Sequence, residues 1–324
     1  MRQLSFVQAI REALAEEMAR DERVFVMGED VRLGAFAATK GLYEKFGAAR
    51  VRNAPLSEAG FAGAGVGAAM AGMRPVVEIE FGSFLYYCWD QVCNQAAKLR
   101  YMSGGQLSIP ITFRCVNGAI GSAAAQHSET VYGQLLGAPG LKLVIPSCPS
   151  DMKGLLKTAI RDDDPVVVFE HGRLGRMREP VPEGEHLVPL GVAARRREGS
   201  DVTVVAFGLM VSRALAAAET LAKEGVSAEV LDPRTLVPLD EATLLESVRK
   251  THRVVVVHEA VKRGGFGAEI AAVLMEKAMD DLDAPVVRVA ARNVPMPYND
   301  SLEKATIPSR EDILAAVRQL VGAY

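Results

Sequence analysis

The chain has 324 residues, 49% of them hydrophobic and 24% charged, which is enough apolar material for two domain cores and too much for a disordered protein. Its formal net charge of −3 offers no basic surface to nucleic acid or to an anionic membrane, so neither is expected as a partner. Four cysteines without metal-ligand or CxxC spacing, no apolar leader and no apolar run near the ~20 residues of a spanning helix point to free thiols in a cytoplasmic or equivalent interior.

From the amino terminus onward, short β-branched runs alternate with amphipathic stretches, the pattern of parallel sheets covered by helices. A helix is expected over 5–20, capped by Ser5 and burying Phe6, Ala9, Ile10, Ala13 and Leu14, followed by a strand over 24–27. A Gly/Ala-rich helix over 61–72 leads to a strand over 75–79, and a helix over 89–100 leads to a strand over 111–114. Strands over 142–146 and 166–170 flank a helix over 150–161. Between 171 and 200 glycines and prolines break the regularity, and Arg195, Arg196 and Arg197 read most simply as a solvated turn. The alternation then resumes, with strands over 202–207, 228–231, 253–258 and 285–289 and helices over 212–224, 240–250, 268–279 and 310–321. The expected fold is therefore α/β, two successive domains with parallel sheets flanked by helices: residues 1–180, a linker over 181–200, and residues 201–324.

Glu58 stands at the start of the Gly/Ala helix, where a carboxylate complements the helix dipole. Gly60, Gly63, Gly65 and Gly67 cost helix stability at about 1 kcal/mol each, so close approach by another backbone, across a subunit boundary, is the expected reason for them. Gly63, Gly65 and Ala68 also fit a dinucleotide fingerprint, but the polar, proline-containing run 51–58 replaces the buried strand which that fingerprint needs. His127 lies in a Gly/Ser/Ala loop after the strand over 111–114, as an exposed loop residue or as a proton-transfer group active near neutrality. Phe81, Phe84, Tyr86 and Tyr87 read first as ordinary core aromatics, and Asp162, Asp163 and Asp164 before Pro165 as a solvated helix exit. His252 and His258 read as strand-end residues, and Gly264, Gly265 and Gly267 as a plain loop-to-helix turn.

Glu58, Gly63, Ala64, Gly67 and Ala68 match the glutamate motif of thiamine-diphosphate enzymes, and further markers run from Gly28, Glu29, Asp30 and Val31 to Val294, Pro295, Met296, Pro297 and Tyr298. Over essentially its whole length the chain resembles the β subunits of the decarboxylating component of 2-oxo-acid dehydrogenase complexes, the pyruvate, branched-chain and acetoin dehydrogenase group. The resemblance implies a transketolase-like pyrimidine-binding domain followed by a transketolase carboxy-terminal-like domain. It makes Glu58 the carboxyl that hydrogen-bonds the aminopyrimidine of thiamine diphosphate, with Phe84 packing on that ring and Glu29 also at the cofactor. It places His127 in the active-site channel, at the acyl intermediate and the incoming lipoyl group. It further implies a structural potassium ion on Ile111, Ala159, Ile160, Asp162 and Asp164, partly through backbone carbonyls.

No Gly-Asp-Gly motif occurs, so the diphosphate and its Mg2+ are expected on a separate α subunit. The implied assembly has two α and two β chains, each β beside a second β, docked on a dihydrolipoyl acyltransferase core. Glu80, Glu129 and Gly137 depart from the family's usual residues beside the channel. A split transketolase-like subunit and a non-catalytic scaffold partner remain the alternatives.

Overall fold

The computed structural model describes residues 1–322. In chain order its strands are β1 (Arg2–Ser5), β2 (Val24–Gly28), β3 (Val51–Asn53), β4 (Arg74–Phe81), β5 (Thr112–Asn117), β6 (Lys142–Val144) and β7 (Val166–His171). They continue as β8 (Arg178–Val181), β9 (Ala194–Arg197), β10 (Val202–Ala206), β11 (Ala228–Asp232), β12 (Thr235–Val237), β13 (Val254–Val261) and β14 (Val287–Ala291). The first sheet has the order β12-β6-β7-β5-β4-β2-β3 and the second β14-β13-β10-β11-β9. Both are parallel except at one edge, where β12 pairs antiparallel with β6 and β9 with β11.

Those edges correct the expectation of two sheets joined by an irregular linker. Strand β9 lies inside the stretch read as linker, and β12 crosses from the second half of the chain into the first sheet. Arg195–Arg197 is no solvated turn. Arg196 reaches the carboxylates of Asp232 at 2.8 Å and of Asp151, and Arg195 lies 3.2 Å from Glu229. Charge periodicity conceals such a strand, because its half-buried side chains are held by pairing rather than by hydrophobicity. Just before it, β8 folds back to pair antiparallel with β1.

Helices pack where the apolar periodicity places them. The helix Phe6–Arg20 is capped by Ser5, whose hydroxyl accepts from the Gln8 amide while the Gln8 side chain accepts from the Ser5 amide. It lies against Pro149–Arg161, and the carboxylate of Glu17, fully buried between them, takes both nitrogens of Arg161 at 2.7 and 2.9 Å. The stretch expected as one helix over 89–100 is instead a wide π-type run, Asp90–Ala96, continued by Ala97–Met102. All four cysteines are buried and free. No helix of the described residues is long and apolar enough to cross a membrane.

Candidate active site

Parallel strands send their following loops to one edge of a sheet, and in open α/β sheets that carboxyl edge is where ligands bind. Here it gathers the residues singled out from sequence. Gly28 on β2 pairs in register with Glu78 on β4, so Glu29 and Glu80 leave adjacent strands on the same side. The short strand β3 beside β2 leads into the helix Glu58–Met70, which opens on Glu58. The loop after β5 carries His127.

The helix Glu58–Met70 begins three residues earlier than its apolar pattern implies, so Glu58 itself occupies the first turn. It lacks a side-chain cap, and its Gly60 and Phe61 amides donate to the Ser57 carbonyl at 2.8 and 3.0 Å. Gly65 is required by packing within the chain, since a Cβ there would lie 2.7 Å from Val77 Cγ2. Gly67 by contrast faces open space, and Gly63 meets only the Gln91 side chain. The Gly/Ala stretch therefore turns one face to the sheet and leaves the other uncovered. Its dinucleotide-like residues sit within the helix rather than at a strand-to-helix turn, so no pyrophosphate cradle forms.

Glu80, Glu29, Asp30 and Glu58 form one acidic neighbourhood. Burial, reinforced by Glu29, Asp30 and Glu58, pushes the Glu80 carboxyl up to about 7, near neutrality. Burial and then Asp30 and Glu58 also raise Glu29. Cys88 is pushed up to about 12 by burial, with Glu58 as its next largest influence. Glu80 takes a left-handed backbone (φ 60°), as do Asp30, Ser122 and Ala124 in the neighbouring loops. Non-glycine residues so held cost of order 1–3 kcal/mol each and cluster at functional sites.

An aromatic wall stands beside these acids. His127 packs edge-on against Phe81 (4.7 Å between ring centroids) and Phe84 (5.5 Å), and Phe81 and Phe84 contact each other at 5.4 Å. Ser83 donates its hydroxyl to the Gln126 carbonyl, tying the aromatic run Gly82–Cys88 to the histidine loop. Tyr86 donates to Glu129 at 3.0 Å, which is where that unusual carboxylate goes. Tyr86 and Tyr87 are exposed, against the expectation of core packing, while Phe81 is buried. Gly137 is exposed and faces open space.

Two features were invisible in the sequence. Buried Arg114 on β5 bridges Glu78 on β4 and Glu170 on β7, a charged seam behind the aromatic wall. Burial, opposed by Arg114, raises the Glu78 carboxyl. The histidine loop is also anchored to the second half of the chain. The Ala119 amide donates to Glu259 at 2.5 Å and the Ser122 amide to Glu303 at 2.8 Å, while His171 lies 2.7 Å from Glu259. Acids separated by so much sequence leave no periodic signal.

His258 is not a strand-end residue. It is fully buried within β13, and burial lowers its pKa to about 4. Glycines make room for it, since a Cβ on Gly265 would lie 2.5 Å from the His258 ring.

The set expected to hold potassium lies at the opposite, amino edge, where Ile111 precedes β5 and residues 159–164 precede β7. Every member is already engaged. Arg74 Nη1 donates to the carbonyls of Ile160 (3.2 Å) and Asp162 (2.9 Å), and Arg74 Nη2 to Asp163 (2.5 Å). Lys142 holds Asp162 at 2.7 Å and Asp164 at 3.1 Å, and Arg100 holds Asp164 at 2.5 Å. The Ile111 and Ala159 carbonyls accept from the Val166 and Asp162 amides. Three carboxylates thus face three cationic side chains, and their charges balance. Each ligand expected for potassium is thus bonded to a donor of the chain itself. Among the described residues no group of three or more His, Cys, Asp or Glu side chains could hold a metal.

Comparison with known proteins agrees with this architecture. Residues 2–177 match the family Transketolase, pyrimidine binding domain, and residues 191–313 match Transketolase, C-terminal domain. The chain is 46% identical over 321 residues to the 2-oxoisovalerate dehydrogenase subunit beta of Bacillus subtilis, covering 98% of each chain. It is 46% identical over 320 residues to the pyruvate dehydrogenase E1 component subunit beta of Rickettsia felis, again covering 98% of each. It is 47% identical over 330 residues to the acetoin:2,6-dichlorophenolindophenol oxidoreductase subunit beta of Cupriavidus necator, covering 98% of this chain and 97% of that one. A split-gene transketolase, solved as an inactive β4 tetramer, shares the fold with a TM-score of 0.82 at 24% identity, over 98% of each chain. Full-length identity at this level, together with both transketolase domains, establishes that the chain belongs to the family of β subunits of the 2-oxo-acid and acetoin dehydrogenases.

Proposed function

We propose that this chain supplies the aminopyrimidine half of a thiamine-diphosphate site, shared with a separate α subunit, in an oxidoreductase that decarboxylates a 2-oxo acid or cleaves acetoin. The observation that carries it is the meeting of Glu58, Glu29, Phe84 and His127 along one sheet edge, beside an uncovered Gly/Ala helix face. These residues fit an aminopyrimidine ring. Phe84 presents an aromatic surface, and Glu58 presents a carboxyl that can share a proton with a ring nitrogen. Thiamine diphosphate, when bound, would supply a carbon nucleophile and an electron sink for the bonding pair left behind when the carboxylate departs as carbon dioxide.

The chain's own residues then have distinct tasks. Glu58 holds the proton at the ring nitrogen from its place at the helix start. Phe81 and Phe84 exclude water from that proton and orient the ring. His127, exposed at the wall, moves a proton at the oxygen of the acyl unit as it passes to a lipoyl-lysine disulfide. Residues 1–180 carry the cofactor site and residues 201–324 carry assembly, with 181–200 joining them.

Exposed Leu56, Tyr87, Tyr101 and Met102, with the open Gly67 face, make a surface that suits subunit contact. The assembly proposed is two α and two β chains on an acyltransferase core, with Mg2+ and the diphosphate held by α because this chain has no Gly-Asp-Gly. The neighbouring split transketolase is described as inactive when it contains β chains alone, which parallels a half-site. Buried free thiols agree with work in a reducing cytoplasm.

The test is co-expression with the candidate α subunit, followed by thiamine-diphosphate-dependent dye reduction with pyruvate, branched-chain 2-oxo acids and acetoin. Glu58→Ala is expected to assemble normally and lose about 100-fold or more of the activity. Full activity of the purified chain without α overturns the shared site. Assembly with no activity on any substrate favours a scaffold.

A further inference from the structure

Beside the histidine loop, between it and the second half of the chain, lies a cleft of about 370 Å³. That is the size range of small-molecule sites. Its floor is apolar, with Val261, Val294, Pro295 and Met296 among the lining residues. Two guanidinium groups, Arg263 and Arg292, line it from the loops after β13 and β14. Those loops are tied together, since the Arg263 amide donates to Asn293 Oδ1 at 3.1 Å and the Lys262 amide to the Ala291 carbonyl at 3.2 Å. The Arg292 amide is fixed by the Thr306 carbonyl at 3.0 Å.

Both arginines are exposed at the cleft mouth, and among the described residues neither guanidinium has a carboxylate or hydrogen-bond partner. The two carboxylates on the cleft wall are already committed. Both oxygens of Glu259 are taken by the Ala119 amide and His171, and Glu129 accepts from Tyr86. Ser128, which also lines the cleft and is only 1% exposed, has a hydroxyl with no partner among the described residues. A buried hydroxyl left unpaired loses the hydrogen bond it would make in water, which a ligand atom can restore. Unpaired cations, an orphaned hydroxyl and an apolar floor share one complement.

We propose that this cleft binds a small organic anion, a carboxylate or phosphate borne on an apolar body, held by Arg263 and Arg292 and hydrogen-bonded by Ser128 Oγ. The ligand bridges the two halves of the chain next to His127, so its occupancy stiffens the loop that carries the histidine. Nothing in the proposed thiamine chemistry requires this second site.

Calorimetry on the full chain tests it with three probes of one chain length: hexanoate, hexyl phosphate and 1-hexanol. At least one anion is expected to bind one to one with a Kd of about 1 mM or tighter, and whichever binds better identifies the headgroup. Hexanol is expected to bind at least about tenfold more weakly, because it lacks the charge that the arginines recognise. The double variant Arg263→Met/Arg292→Met should weaken the anion by at least about tenfold, and Ser128→Ala by about threefold. No binding of either anion, equal binding of hexanol, or unchanged affinity in the arginine double variant each overturns the proposal.

Discussion

The two edges of the first sheet are built from the same residue types and do opposite things with them. At the amino edge Asp162, Asp163 and Asp164 are answered by Lys142, Arg74 and Arg100, and Arg74 also donates to the Ile160 and Asp162 carbonyls. At the carboxyl edge Glu29, Asp30, Glu58 and Glu80 meet with no cation among them, and the shifted carboxyls there move upward. Closed charge networks hold a loop in place. Unanswered ones hold protons, and that is the property acid–base chemistry needs.

The comparison breaks most sharply if the two edges fail to separate activity from stability. The largest expected effect is Glu58→Ala, which removes about 100-fold or more of dye-reducing activity in the α-containing complex while the denaturant midpoint stays near wild type. Arg74→Met should do the reverse. It leaves the Ile160 and Asp162 carbonyls and Asp163 without their donor, costing about 2–3 kcal/mol in urea unfolding with activity per folded molecule retained. His127→Ala comes next, slowing acyl transfer by about 10- to 100-fold with a stability change within about 0.5 kcal/mol, since the residue is exposed.

Glu80→Gln sharpens the comparison through pH. The folded carboxyl titrates near 7, above its ordinary 4.5, so between those values the folded chain keeps a proton that the unfolded chain has released. Wild-type stability therefore falls as pH rises through that window and has no further Glu80-linked slope above it. The stability of the Gln variant relative to wild type should rise by about 1 kcal/mol across the window, after allowance for solvent screening of a half-exposed group. The smallest effect belongs to the amino edge. Replacing K+ by Na+ or choline at fixed ionic strength should move the thermal midpoint by less than about 1 °C, because every expected ligand already has a donor. A potassium-specific rise of several degrees would show that the ion displaces those donors.

The place of Glu58 at a helix start was legible because a glutamate followed by Gly and Ala is a local pattern, and the strand-helix alternation around it is local too. The loop position of His127 was legible from the Gly, Ser and Ala residues around it. The ion-paired strand Ala194–Arg197 was not legible, because pairing with Asp232 and Glu229 half-buries arginines that composition assigns to solvent. The burial of His258 escaped as well, because the glycines that accommodate it follow in the next loop.

By itself the amino-acid sequence determined the α/β class, the order of most elements, the capped first helix and the family to which the chain belongs, all of which rest on short-range periodicity and spacing. Only the tertiary structure decided that Glu80 joins Glu29, Asp30 and Glu58, that Arg74 fills the carbonyls expected to hold an ion, and that Glu259 and Glu303 anchor the histidine loop. Charges act through space with a strength set by distance and burial, and neither quantity is written along the chain.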